Sequence, residues 1–187
     1  MNKVITLKNG EKIIIRHLKK SDVDGVWINF NEVINENIYL PVFFPVRSQL
    51  EKDSWYRDIK NQTQICVIAE NPKIKLPHNV IGQCEIINSQ WDAAIHVGIL
   101  GIILKQKYRD LGIGRQLIDT SIRESKKLNH KEKIILSCFS SNKRAIHLYK
   151  IMGFKVVGTR RKQFYMDSQY YDEVLMELWI DDYLHQN

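Results

Sequence analysis

The stretch Ile99 to Ile118, ILGIILKQKYRDLGIGRQLI, is the most chemically informative part of the chain. An apolar run passes into Arg109-Asp110-Leu111-Gly112-Ile113-Gly114, and a helical pattern follows. A helix N-terminus leaves backbone N–H groups unpaired and carries partial positive charge. Glycines at that point let the backbone approach a ligand and adopt positive φ. Arg109 and Arg115 add formal positive charge. Together these make a phosphate or pyrophosphate cradle. Glycines that only tighten a strand-to-helix turn would give the same string. A Walker loop is excluded, because no Gly-Lys-Ser/Thr follows. A dinucleotide fingerprint is excluded too, because Leu117 stands where its third glycine is needed.

A second constellation follows: Asn142-Lys-Arg-Ala145-Ile-His-Leu148-Tyr149-Lys-Ile-Met-Gly153-Phe154. Seven residues are close to two helical turns, so Asn142 and Tyr149 share a face, about 10 Å apart along the axis. An amide at one end and a phenol at the other suit an elongated ligand with amide groups and a reactive end. Taken alone, Asn142 is equally an N-cap and Tyr149 equally a core aromatic.

These residues need a scaffold, and the pattern of the chain supplies one. Residues 3–8 and 11–17 read as a hairpin around Asn9-Gly10, a favoured type I′ pair. Ser21 is placed to cap a helix over 22–34. Ser48-x-x-Glu51 is a capping box opening a second helix to about Lys60. Strands are expected over 65–70, 80–88 and 94–104, a helix over 113–128, and a strand over 133–139. A helix over 142–152 should end at Gly153, and 154–166 with 172–180 should close the chain as a hairpin. The order β-β-α-α-β-β-β-α-β-α-β-β implies an α/β (α+β) fold. Its mixed central sheet has antiparallel pairs early and a βαβ unit late.

The chain has 187 residues, 44% of them hydrophobic and 26% charged. A chain this long buries roughly 70% of the surface its unfolded form exposes. One domain over residues 1–187 is therefore expected, with no need of disulfides. The net charge of +7 favours anionic partners and is spread without a basic run. Cys66, Cys84 and Cys138 form no CxxC pair and each sits in an apolar run, which suggests reduced thiols. No window reads as a signal peptide or membrane span, so a cytoplasmic location is expected.

With both constellations in place, the chain resembles the GCN5-related N-acetyltransferase (GNAT) superfamily. Arg109-x-x-Gly112-x-Gly114 is similar to its pyrophosphate-binding motif, and Asn142-x-x-Ala145-x-x-Leu148-Tyr149-x-x-x-Gly153-Phe154 to its motif B. The resemblance extends to His96–Ile102, to Leu7–Arg16 and to Tyr171-Asp172-Glu173 with Met176. It implies acetyl-CoA-dependent acyl transfer to an amine, on a sheet flanked by about four helices with a splayed strand pair holding CoA. It places Ile102, Ile103 and Leu104 along the pantetheine arm. Backbone groups of Arg109, Asp110, Leu111, Gly112, Ile113, Gly114 and Arg115 would lie at the pyrophosphate. Asn142 would hold the pantetheine, and Tyr149 would stand near the sulfur as general acid. The aromatic-rich N-terminal helices would line the acceptor site. No metal is implied, and a homodimer is a common arrangement in the family.

Three positions depart from the family pattern. Ile99 replaces a frequent glutamate on the fourth strand, Gln106-Lys107 replaces Pro-Glu, and Ser168-Gln169 replaces a common glycine before the tyrosine. With Ile99 unable to act, Glu85 and His96 are the candidate bases; water or an already neutral amine are alternatives. A non-catalytic CoA-binding module is the second reading. Nucleic-acid binding is a third and weaker one, since no RNP-type strand, zinc spacing or basic recognition helix is present.

Overall fold

The computed structural model describes residues 2–61 and 64–186. Its elements are β1 (Asn2–Thr6), β2 (Lys12–His17), α1 (Val23–Ile34), α2 (Gln49–Lys60), β3 (Ile65–Glu70), β4 (Val80–Asn88), β5 (Val97–Leu104), α3 (Ile113–Asn129), β6 (Lys133–Phe139), α4 (Lys143–Ile151), β7 (Lys155–Met166), β8 (Gln169–Trp179) and α5 (Ile180–Gln186). The strands form one sheet in the order β1-β2-β3-β4-β5-β6-β8-β7. Only β5 and β6 pair in parallel, as a βαβ unit around α3 requires.

Both faces of the sheet are covered. Ile113, Leu117, Ile118 and Ile122 of α3 recur at helical spacing and are fully buried against Ile81, Cys84, Ile86, Leu100 and Ile134. Each such side chain contributes about 1.5–3 kcal/mol of burial. On the other face Val26 of α1 packs with Cys66, Ile68 and Val80, flanked by Trp55 and Ile59 of α2. The alternation of Cys66 and Ile68 with Val67 and Ala69 between the two cores follows the period of a strand.

Four local expectations change. The first hairpin does not turn through a type I′ pair. Gly10 alone has positive φ (82°), Gly10 N–H donates to Leu7 O, and Leu7 N–H donates to Glu11 O. This is a three-residue loop whose last residue is left-handed. Ser21 does not cap α1. Asp22 Oδ2 accepts from Lys19 N–H at 2.8 Å, and the same buried carboxylate binds Arg16 at 2.6 and 2.9 Å. The ion pair to Arg16 competes successfully for this end of the helix. The last hairpin is tighter than expected, turning at Asp167-Ser168, both with left-handed φ. Finally a fifth helix, α5, follows β8, its Ile180 and Tyr183 buried and Asp181 and Asp182 in its first turn.

β5 and β6 pair over three residues only, Val97 to Ile99 against Lys133 to Ile135. Beyond Ile99, β5 continues to Leu104 held by β4, while β6 continues to Phe139 held by β8. The sheet is therefore split between two strands that remain ordered.

Candidate active site

A cavity of about 350 Å³ opens where the strands part. Ile102, Ile103 and Leu104 line it from β5, Gly112, Gly114 and Arg115 from the start of α3, and Asn142, Leu148 and Tyr149 from α4. Arg109 and Asp110 also line it, whereas Leu111 and Ile113 are outside its lining. Ile113 is instead fully buried in the core under α3.

Gly112 is the N-cap of α3 and sits at φ 81°, where a side chain is strained. An added Cβ there would meet nothing within 4 Å, so the space above it is open. The first hydrogen bond into the helix is Gln116 N–H to Gly112 O. The N–H groups of Ile113, Gly114 and Arg115 are thus the unpaired donors of a helix start. Arg109 behaves differently from what its charge suggests. Its N–H donates to Gln106 O, its Nε donates to Leu104 O at 2.9 Å, and its guanidinium holds Glu36 with two bonds of 2.6 Å. Arg109 fastens the loop to the end of α1, leaving two exposed cations in the cavity lining, Arg115 and Arg144, the latter paired with Asp110 at 3.0 Å.

Asn142 is the N-cap of α4, accepting from Ala145 N–H at 3.2 Å through Oδ1, while it also lines the cavity. Capping uses the oxygen and leaves the Nδ2 donor for a ligand carbonyl. Tyr149 is buried, with its ring tilted by 60° to that of Phe154 at 5.8 Å between centroids. Burial pushes its phenol well above the ordinary tyrosine range, with the neighbouring thiols Cys138 and Cys84 adding to it. The hydroxyl therefore stays protonated throughout the physiological range. Burial, and then the charge of Glu173, pushes the Cys138 thiol up to about 11, so it too keeps its proton.

The two candidate bases separate. Glu85 lies in the middle of β4, a strand paired on both sides, and not at an edge. Its cross-strand partner is Gly101, where an added Cβ would meet nothing within 4 Å. Side chains of directly opposed residues share a face. The carboxylate consequently faces the open notch at Gly101 on the α1–α2 side of the sheet, while Glu85 itself is outside the lining of the 350 Å³ cavity. Burial raises its pKa above the usual carboxylate range, against the hydrogen bonds from Trp55 and Gln83; the Trp55 Nε1 donor is at 3.2 Å. Trp27 packs edge-on against both Trp55 and Phe30, giving this side an aromatic wall. His96 precedes β5 and is not in a strand; its carbonyl accepts from Glu132 and Lys133 N–H at the start of β6. Ile102 is six positions further along the chain, about 20 Å of strand, and His96 is not in the cavity lining, so the structure does not bring it to the cavity.

Sequence reasoning passed over Gly101 and Glu36. A glycine inside a strand signals close approach of another group, and that signal was present at Gly101. Glu36 carries no local pattern, because its partner is 73 residues away.

Comparison with known proteins then settles the family. The family model described as "Acetyltransferase (GNAT) family" matches residues 34–154, more than half of the chain. The chain belongs to this family. It is an acyltransferase of the N-acetyltransferase type. It is 27% identical over 162 residues to an N-alpha-acetyltransferase of Sulfurisphaera tokodaii, covering 87% of this chain and 91% of that one. An N-acetyltransferase structure from Staphylococcus aureus Mu50 superposes with TM-score 0.80 at 21% identity, over 90% of this chain and 98% of the other. A GNAT superfamily phosphinothricin acetyltransferase from Sinorhizobium meliloti, in complex with acetyl-CoA, gives TM-score 0.78 at 17% identity over 88% and 86%. The split sheet and its helices are therefore those of GNAT folds. Among the described residues no helix is long and apolar enough to cross a membrane.

Proposed function

We propose that the chain, as one N-acetyltransferase domain over residues 1–187, moves the acetyl group of acetyl-CoA to a primary amine of a small molecule, an amino acid or a peptide N-terminus. The observation that carries this is the cavity at the β5–β6 split, with an unpaired helix start at one end and a protonated buried phenol among its lining. The residues fit the cofactor. The open space above Gly112 and the three free N–H groups suit a pyrophosphate, and the outer edge of β5 at Ile102–Leu104 offers backbone groups to an amide-containing arm. When bound, acetyl-CoA supplies the acetyl group as a thioester.

The chain's own groups do the rest. Asn142 Nδ2 orients the arm. A backbone N–H of the free β5 edge stabilises charge growing on a carbonyl oxygen. Glu85, at the Gly101 notch, accepts the proton of the incoming amine, and its raised pKa brings it closer to the operating pH, as a general base requires. Tyr149 Oη holds the proton delivered to the departing sulfur. The high pKa of Cys138 favours direct attack by the amine over a thiol-bound intermediate. With unpaired cysteines throughout, the enzyme is read as cytoplasmic.

Calorimetric titration with acetyl-CoA, followed by a thiol-release assay over an amine panel, tests this. Micromolar one-to-one binding and turnover with at least one amine are expected. Absence of binding by a folded sample would overturn the reading. Binding without turnover by any amine would leave the non-catalytic module.

A further inference from the structure

The carboxylate of Glu85 is held by donors from two sides. Trp55 Nε1 reaches Oε2 from α2 at 3.2 Å. Gln83 stands two residues before Glu85 on β4, hence on the same face of the sheet, and donates from within the strand. A primary amide has a donor end and an acceptor end. Only the donor end, Nε2, supports an ionised carboxylate; the oxygen turned the same way would repel it. Gln83 by itself has no means of choosing between the two.

Asn29 makes the choice. Its Nδ2 donates to Gln83 Oε1 at 3.0 Å, which occupies the acceptor end and leaves Nε2 for Glu85. Both amides are buried, Asn29 completely and Gln83 to 2% exposure. Asn29 sits in the middle of α1, where asparagine is a poor helix former. Its own Oδ1 is buried without a partner among the described residues, a cost that an apolar residue at this position would avoid. Packing alone therefore gives no reason for the pair. The other donor is also steadied from α1, since Trp27 meets the ring of Trp55 edge-on at 5.3 Å. One helix thus fixes both donors. The titratable neighbours of Glu85 are the thiols of Cys66, directly across on β3, and Cys84, next to it on β4. Burial raises both, Cys84 to about 12, so neither brings a charge to the carboxylate near neutral pH.

We propose that Gln83 is a positioning residue for Glu85, and that Asn29 is the lock that turns the Gln83 amide donor-first toward the carboxylate. The proposal rests on the reading of Glu85 as the base and adds what keeps that base ready. Burial favours the protonated acid, which cannot take a proton from the amine. The locked amide, with Trp55, favours the ionised form and also fixes where the carboxylate points.

The test is a pH titration by carbon-13 NMR of protein labelled at the glutamate carboxyl carbons, with the Glu85 signal assigned by its loss in Glu85→Gln. In Gln83→Met, which keeps the length and removes the donor, the midpoint should move up by about one pH unit. In Asn29→Leu it should move up by less, because the freed amide still turns donor-first part of the time. The double variant should match Gln83→Met, since the lock acts only through Gln83. Each single variant strands one buried amide and should melt earlier than the wild type. The double variant removes both partners and should melt close to it, so the measurement does not depend on a weakened fold. A residue of merely structural importance would change the melts and leave the midpoint in place. An unmoved midpoint in the double variant or in Asn29→Leu, or a double variant that clearly exceeds Gln83→Met, would overturn the proposal. Thiol release with acetyl-CoA and the amine that the wild type turns over fastest separates the two levels. The acid limb of kcat/KM should move with the NMR midpoint. A midpoint that moves while the limb stays defeats Glu85 as the base, whereas a midpoint that stays defeats the lock alone.

Discussion

On the α3–α4 side of the split, the groups assigned to acetyl-CoA are mostly backbone: the helix start after Gly112 and the outer edge of β5, joined by the cap residue Asn142. On the α1–α2 side, the groups assigned to the acceptor are side chains drawn from far-apart segments: Glu85 from β4, Trp27 from α1 and Trp55 from α2. A backbone cradle needs particular residues at fixed short spacing, because glycine takes positive φ without strain and leaves the space above the backbone open. A side-chain wall needs only the right surfaces to meet, and many sequences provide them. The side proposed for acetyl-CoA is thus specified locally, and the side proposed for the acceptor is specified by tertiary packing.

The largest expected effect strikes the local side. Gly112→Val places a branched side chain at φ 81° and in the open space above the helix start. Strain of about 1–3 kcal/mol in stability is expected, together with loss of measurable acetyl-CoA binding by calorimetry. Gly114→Ala is the control. Its Cβ would meet Leu148 and Ile102 at ordinary contact distances, 3.5 and 3.8 Å, and alanine favours the helix by up to about 1 kcal/mol. Melting temperature should hold or rise while acetyl-CoA affinity falls. If Gly112→Val binds acetyl-CoA normally, the cradle is elsewhere and the backbone-against-side-chain contrast fails.

That contrast also explains what could be read from the chain alone. Strands β3, β4 and β6 and helix α3 stand close to their expected bounds, because each is a strongly periodic run that is buried. Asn142 and Tyr149 do share the cavity, since helical spacing fixes their relation once α4 forms. What was illegible depended on partners distant in sequence. Asp22 displaced Ser21 because Arg16 and Glu70 gather there. His96 fell outside a strand because β5 begins one residue later. Arg109 reads as a phosphate-facing cation until Glu36 is found across it. Helix α5 was hidden because its apolar spacing, Ile180 with Tyr183, continued without a break from β8.

Two substitutions test the chemistry between the sides. Tyr149→Phe removes the proton donor and keeps the ring against Phe154. A kcat lower by about 100-fold is expected, with acetyl-CoA affinity unchanged; an unchanged rate removes Tyr149 from the acid role. Glu85→Gln should lower kcat/KM by a similar factor and, in contrast, stabilise the fold at neutral pH. Burial raises the folded-state pKa of Glu85 above its unfolded value. The folded protein then binds this proton more tightly, so the associated stability is present below the unfolded pKa and lost as pH rises through the folded one. Glutamine removes that loss. Thermal melts should show the variant gaining on the wild type at pH 7 and the gap closing toward pH 4. A variant equally stable at both pH values would show that the carboxylate is not desolvated in the fold.

The smallest effect is the sharpest test of how the acceptor side is tuned. Trp55 Nε1 donates to Glu85 Oε2 at 3.2 Å and favours the ionised carboxylate, opposing the rise due to burial. Trp55→Phe removes the donor while leaving an aromatic ring beside Trp27. The pKa of Glu85 should rise further, since only the downward influence is lost. In a profile of kcat/KM against pH, the acid limb should move to higher pH, and the plateau above it should stay within about twofold of the wild type, because the base itself is intact. Acetyl-CoA affinity should not change, since Trp55 lies outside the lining of the cofactor cavity. An acid limb that stays in place would mean that it reports some other group, and the proton would then have to leave the amine through water.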